Sequence, residues 1–215
     1  MSKKDLTVRY AFIFSAYLFL IWGAYRFLSP FSEVADELLI KPVLWLLPIV
    51  YLLKKEKANI SSLGVTTKKL FHSIYLSFAL GVGFATEGIL VHVLKYGGIH
   101  FASNIGGYSI WIGFFLSFVT AFVEEITFRG YLFTRILKAE GDEWKANLIT
   151  SFIWTIVHAP IAIFVFNLNL VNSFLYLILV GIFGVGSAFV FARTKNIASS
   201  VILHLLWSWP IVLFR

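Results

Sequence analysis

Glu124, Glu125 and Arg129 stand where a membrane would exclude them. They belong to the stretch Val123-Glu124-Glu125-Ile126-Thr127-Phe128-Arg129-Gly130, at the end of an apolar run from Tyr108 to Phe122. A charged side chain in hydrocarbon costs about 2.5–3.5 kcal/mol on insertion scales. Such residues need a reason to be there. On a helix, Glu125 and Arg129 are four apart and face one another. Glu124 points about 100° away. The arginine can therefore hold Glu125 and leave Glu124 free for chemistry. The structural alternative is an ion pair that only pins two helices.

Two histidines extend the pattern. His158 sits in Phe152-Ile153-Trp154-Thr155-Ile156-Val157-His158-Ala159-Pro160, and His204 in His204-Leu205-Leu206-Trp207-Ser208. Pro160 cannot donate to the carbonyl of Ile156, which adds polarity beside His158. Ser208 shares a helix face with His204, so the two can present donors to one point. Taken singly, His158 reads as a helix–helix hydrogen-bond partner and Ser208 as a hydroxyl bonded back to the His204 carbonyl. Depth argues otherwise. At 1.5 Å per residue from the cytoplasmic helix ends, Glu124 lies roughly 16 Å in, His158 roughly 18 Å and His204 roughly 12 Å. Ionisable residues on three helices thus reach similar depth from one face.

A glutamate and a histidine shut off from bulk water suit the activation of one water molecule. A second histidine with a hydroxyl suits the oxyanion of a tetrahedral intermediate. That inventory fits peptide-bond hydrolysis. Glu124, His158 and His204 could instead ligate one divalent metal such as zinc. HExxH is absent, as is a nucleophile-elbow serine motif, and the chain has no cysteine. Other polar residues look less committed. Glu87 and His92 read as helix packing or an outer rim, and His72 and His100 fall at a span end and in a loop.

The elements that must carry these residues are membrane helices. The chain has 215 residues, 59% hydrophobic and 13% charged, with a mean hydropathy of +0.85. The fold class expected is all-α, a polytopic transmembrane bundle forming one domain over residues 1–215. About seven spans are expected, near 10–28, 42–53, 70–94, 108–137, 147–166, 173–192 and 197–214. The second is the least regular, with Pro48 inside it. The first is too long for a signal-peptide core and reads as a retained span. Gly181, Gly184 and Gly186 give the sixth a smooth face. The aromatic share of 18% reads as lipid-facing Phe with interfacial Trp and Tyr, not a cofactor box. The net charge of +7 is not a nucleic-acid signal, because the basic residues cluster at span ends. Lysines and arginines concentrate in alternate loops. That pattern puts the N-terminus in the cytoplasm and the C-terminus outside, with anionic lipid heads at the basic loops.

The ordered motifs, Glu124-Glu125-x-x-x-Arg129, then His158 after Phe152 and Trp154, then His204-x-x-x-Ser208, resemble those of the CPBP family. These are CAAX prenyl endopeptidases and bacteriocin-processing or abortive-infection-type intramembrane proteases. The resemblance covers residues 108–209. It implies Glu124 as general base working with His158, an oxyanion hole from His204 and Ser208, and Glu125 and Arg129 as supports. Where the family typically has Asn, this chain has Ser208. The aromatic four before the histidine is Trp154, where the family usually has Phe. The family is described both as glutamate-type and as metal-dependent, which leaves the cofactor open between none and one divalent ion.

The expectation is an endopeptidase of the cell membrane acting on a membrane-associated peptide or protein, such as a CAAX-like, leader or sorting-signal substrate. The rival reading is a non-catalytic membrane scaffold that regulates another membrane protein, motivated by Ser208. A proton-coupled transporter is weaker, since paired broken helices are missing.

Overall fold

The computed structural model describes residues 3–29, 31–99 and 109–213. Pro30, His100, Tyr108, most of the Gly-rich loop and the chain's last two residues lie outside the described residues. Helices dominate, and no strand occurs among the described residues.

Among the described residues seven long helices follow one another. Helix α1, residues 3–28, contains a π-helical turn at Leu18–Trp22. Helix α2, residues 33–56, starts at the Ser32 cap and carries a π-helical turn at Asp36–Ile40 before Lys41–Glu56. A 3-10 turn, Ile60–Leu63, leads to α3, Leu70–Tyr96. Helix α4, Ile110–Glu140, turns π-helical over Ile126–Phe133, directly after the two glutamates. Such π segments cluster at functional positions. Helix α5, Glu143–Val165, begins at the Asp142 cap and also turns π-helical after Pro160. Helix α6 is Leu170–Thr194 and α7 is Ile197–Leu213.

Five of these are long and apolar enough to cross a membrane: Leu6–Leu28, Leu70–Leu94, Ile110–Glu140, Glu143–Val165 and Leu170–Thr194. This differs from the seven expected spans. Helix α2 carries Glu33, Asp36, Glu37 and Lys41 in its first half and Lys54, Lys55 and Glu56 at its end. Its apolar middle, residues 42–53, measures only roughly 18 Å at helical rise. Helix α7 is apolar but shorter than the other five.

Small residues set the packing. Gly184 of α6 meets Trp154 and Ser151 of α5, and Gly181 meets Thr155, as the smooth face on α6 requires. Gly186 turns the other way and meets Phe84 of α3. The aromatic residues are divided differently from expectation. Many Phe side chains are exposed on the outside, but Trp22, Trp45 and Trp154 are fully buried rather than interfacial. They form an edge-to-face chain, Trp22–Trp45–Phe128–Trp154, with ring centroids 5.4, 5.7 and 4.8 Å apart. That chain ties α1, α2, α4 and α5 together and lies against the buried cations Lys41 and Arg129.

On the π segment Gly130 packs closely, and a Cβ there would lie 2.9 Å from the Leu63 carbonyl oxygen. Helix propensity favours alanine there, but the clash is with backbone. Gly130→Ala is expected to cost about 1–3 kcal/mol from overpacking, measured as a lower thermal midpoint of the purified protein in detergent.

Candidate active site

The bundle brings together the polar residues singled out in the sequence. Glu124 and Glu125 end the α-helical part of α4, with exposures of 4% and 0%. The Arg129 guanidinium, also fully buried, lies 3.2 Å from Glu125 Oε1 and donates to the Gly184 carbonyl at 3.0 Å. It lies over the Trp154 ring, 4.7 Å from the centroid. Ser187 of α6 donates to the other Glu125 oxygen at 2.8 Å. Glu125 is thus held by α4 and α6 at once.

His204 of α7 completes that shell. Its Nδ1 lies 2.9 Å from Glu125 Oε1. A carboxylate accepts only, so Nδ1 carries a proton. Phe183 and Trp154 pack against the ring, with centroids 4.9 and 5.7 Å away. Ser208 lies one turn further along α7. Its hydroxyl is buried and has no hydrogen-bond partner, so the back-bond to the His204 carbonyl does not form.

Glu124 faces a different set. Its Oε2 lies 3.9 Å from His158 Nε2 of α5. His158 Nδ1 is 2.8 Å from the Trp154 carbonyl. That carbonyl accepts only, so Nδ1 holds the proton and Nε2 of the neutral ring is an acceptor turned toward Glu124. Trp154, not Phe152, is the aromatic that serves His158. Trp154 is fully buried with its ring 4.3 Å from the imidazole, whereas Phe152 is 65% exposed.

Lys41 is the site residue that the sequence reading missed. Its ammonium, from the start of the α-helical part of α2, bonds Glu124 Oε1 and lies 2.6 Å from Glu37 Oε2. Thr120, one turn before Glu124 on α4, donates to the same Glu37 oxygen at 2.7 Å. The available signal was the i, i+4 pair Glu37 and Lys41 beside an apolar run. Glu87, by contrast, packs as expected, accepting from Trp207 at 3.0 Å.

The donors do not converge as metal ligands. No group of three or more His, Asp or Glu residues among the described residues is arranged to hold an ion. One Glu124 oxygen is committed to Lys41, and the His204 Nδ1 to Glu125. Glu124, His158 and His204 do not form such a group in this arrangement, while Glu124 Oε2 and the Nε2 atoms of both histidines stay outside these bonds.

Residues 106–210 match the family model described as Type II CAAX prenyl endopeptidase Rce1-like. Over this segment, which holds the site, the chain is similar to the Rce1-like family. The CPBP resemblance of the motifs agrees with it. No curated protein and no solved structure matches the chain. The Rce1-like segment contains Glu124, Glu125, Arg129, His158, His204 and Ser208, while Lys41 and Glu37 lie outside it.

Arg129→Ala would leave Glu125 buried without its cation. The expected loss of stability is about 3–5 kcal/mol, read as a large fall in thermal midpoint. Arg129→Lys is expected to recover little of it, because one ammonium lacks the planar fork that reaches Glu125 and the Gly184 carbonyl together.

Proposed function

We propose that this protein is an intramembrane endopeptidase that hydrolyses a peptide bond in a membrane-associated protein or peptide. The observation that carries the reading is the pair Glu124 and His158. They are buried, come from separate helices, and lie 3.9 Å apart through Oε2 and Nε2. That separation is too long for a direct hydrogen bond and suits two acceptors that share one water.

The tautomer of His158 fixes how that water would sit. It donates one hydrogen to Glu124 Oε2 and the other to His158 Nε2, leaving a lone pair for the scissile carbonyl carbon. As the C–O bond forms, Glu124 takes the proton. The carbonyl electrons move onto oxygen, and Ser208 Oγ–H, beside His204 on α7, donates to that oxyanion. Glu125 orients the His204 ring by holding Nδ1–H. Collapse of the intermediate breaks the C–N bond, and Glu124 returns its proton to the leaving amine nitrogen. The unpartnered Ser208 hydroxyl supports this role, since a buried donor without a partner is costly unless something else uses it.

The substrate class follows the family: a CAAX-like, leader or sorting-signal segment presented at the membrane. We place the N-terminus in the cytoplasm and read α2 and α7 as crossing with the five apolar helices in one domain over residues 1–215. The supports are the positive-inside pattern and the buried polar contacts that join α2 and α7 to α4. The cell membrane is the compartment proposed.

In proteoliposomes with a farnesylated peptide ending in a CAAX box, Glu124→Gln is expected to lower kcat by about 10²–10⁴-fold. Chelators are expected to leave wild-type cleavage unchanged. Ser208→Ala is expected to cost about 10²–10³-fold in kcat, and Ser208→Asn to retain activity. Full cleavage by Glu124→Gln would remove the assigned base. Retention of the cellular phenotype by both Glu124→Gln and His158→Ala would instead support a scaffold.

A further inference from the structure

We infer that Lys41 is a positioning residue for the proposed base Glu124, delivered by a helix outside the segment matched to the family. The inference rests on the reading of Glu124 as base. Lys41 is 2% exposed, and its ammonium has two carboxylate partners, Glu124 and Glu37. The four groups Thr120, Glu37, Lys41 and Glu124 close a ring. It leaves α4 at Thr120, crosses to α2 through Glu37 and Lys41, and returns to α4 one turn later at Glu124. The bracket consumes Oε1 of Glu124 and leaves Oε2 on the His158 side. A carboxylate with one oxygen fixed has lost its freedom to rotate. Its second oxygen is then held at one distance from the histidine, which is what a shared water requires.

The alternative is that Lys41 only staples α2 to α4. A staple needs no contact with the reacting carboxylate, and other contacts already tie α2 down. Glu56 of α2 receives Tyr131 at 2.7 Å and Arg135 at 2.8 Å from α4. Asp36 receives Arg26 of α1 at 2.8 Å. The rings of Trp22 and Trp45 flank the Lys41 ammonium at 5.5 and 5.4 Å, so the cation is held in place from the apolar side as well. An ammonium placed so firmly against one oxygen of Glu124 serves that oxygen's geometry.

The test uses the full-length protein in proteoliposomes and the farnesylated CAAX peptide. Lys41→Met is expected to lower kcat by about 100-fold, the scale of a misplaced reacting group, with KM nearly unchanged. Lys41→Arg, which keeps the charge and can reach both carboxylates, is expected to recover most of that loss. Glu37→Gln is expected to lower kcat by a smaller factor, again without a change in KM, because Lys41 then loses its second anchor. The double variant Lys41→Met/Glu124→Gln is expected to be no slower than Glu124→Gln alone. Wild-type kcat in Lys41→Met, with Glu124→Gln inactive, overturns the role of Lys41 and leaves the base in place. If Lys41→Met does not fold, wild-type kcat in Glu37→Gln overturns it equally. Cleavage by Glu124→Gln, or none by the wild type, overturns the reading of the site and this inference with it.

Discussion

The Arg129 guanidinium has none of its surface exposed, and an unpaired charge in such a place would cost several kcal/mol. Its environment is built to prevent that. Glu125 supplies the opposite charge from the same helix, Gly184 supplies a carbonyl from α6, and Trp154 supplies a ring face from α5. Each partner is available for a local reason. Gly184 lets α6 approach closely enough for its carbonyl to reach. Phe128 meets the Trp154 ring edge-on and packs it in place. His204 and Ser187 then bond to the carboxylate that Arg129 has fixed. Helices α4, α5, α6 and α7 thus meet around this one cation, whose Nε is left without a hydrogen-bond partner.

That dependence explains what could be read from the sequence. The i, i+4 relation of Glu125 and Arg129 is local helix geometry, and it appears in the structure. The convergence of Glu124 with His158 was legible from depth, since helical rise is a fixed quantity. Which histidine meets which glutamate was not. His204 goes to Glu125, and His158 faces Glu124, a pairing set by how the helices rotate against each other. Composition gave the membrane class. At the start of α2 a run of charge before Pro42 lacks the pattern of an apolar span and is nonetheless helix. That charge hid Lys41. Its partner Glu124 lies 83 positions along the chain, and no local rule spans that interval. The buried tryptophans escaped for a related reason: composition marks Trp as interfacial, and only the packing shows which ones line a polar centre.

The two adjacent glutamates show how neighbouring side chains of one type come to differ. Glu125 is bonded by Arg129, Ser187 and His204. Both of its oxygens are occupied, and any proton arriving there would displace a donor. Glu124 is bonded through one oxygen by Lys41, and its other oxygen faces a histidine acceptor at a distance longer than a hydrogen bond. A general base must accept a proton without first breaking a contact, so only the second arrangement suits that work. Environment, not residue type, separates the roles of a carboxylate pair. The separation has a simple origin in α4. Consecutive helical residues diverge by about 100°, so side chains at 124 and 125 project toward different neighbours: α2 and α5 for one, α6 and α7 for the other. The tandem glutamate therefore couples two helix pairs through a single turn of α4. One carboxylate is locked so that the other can be left partly free.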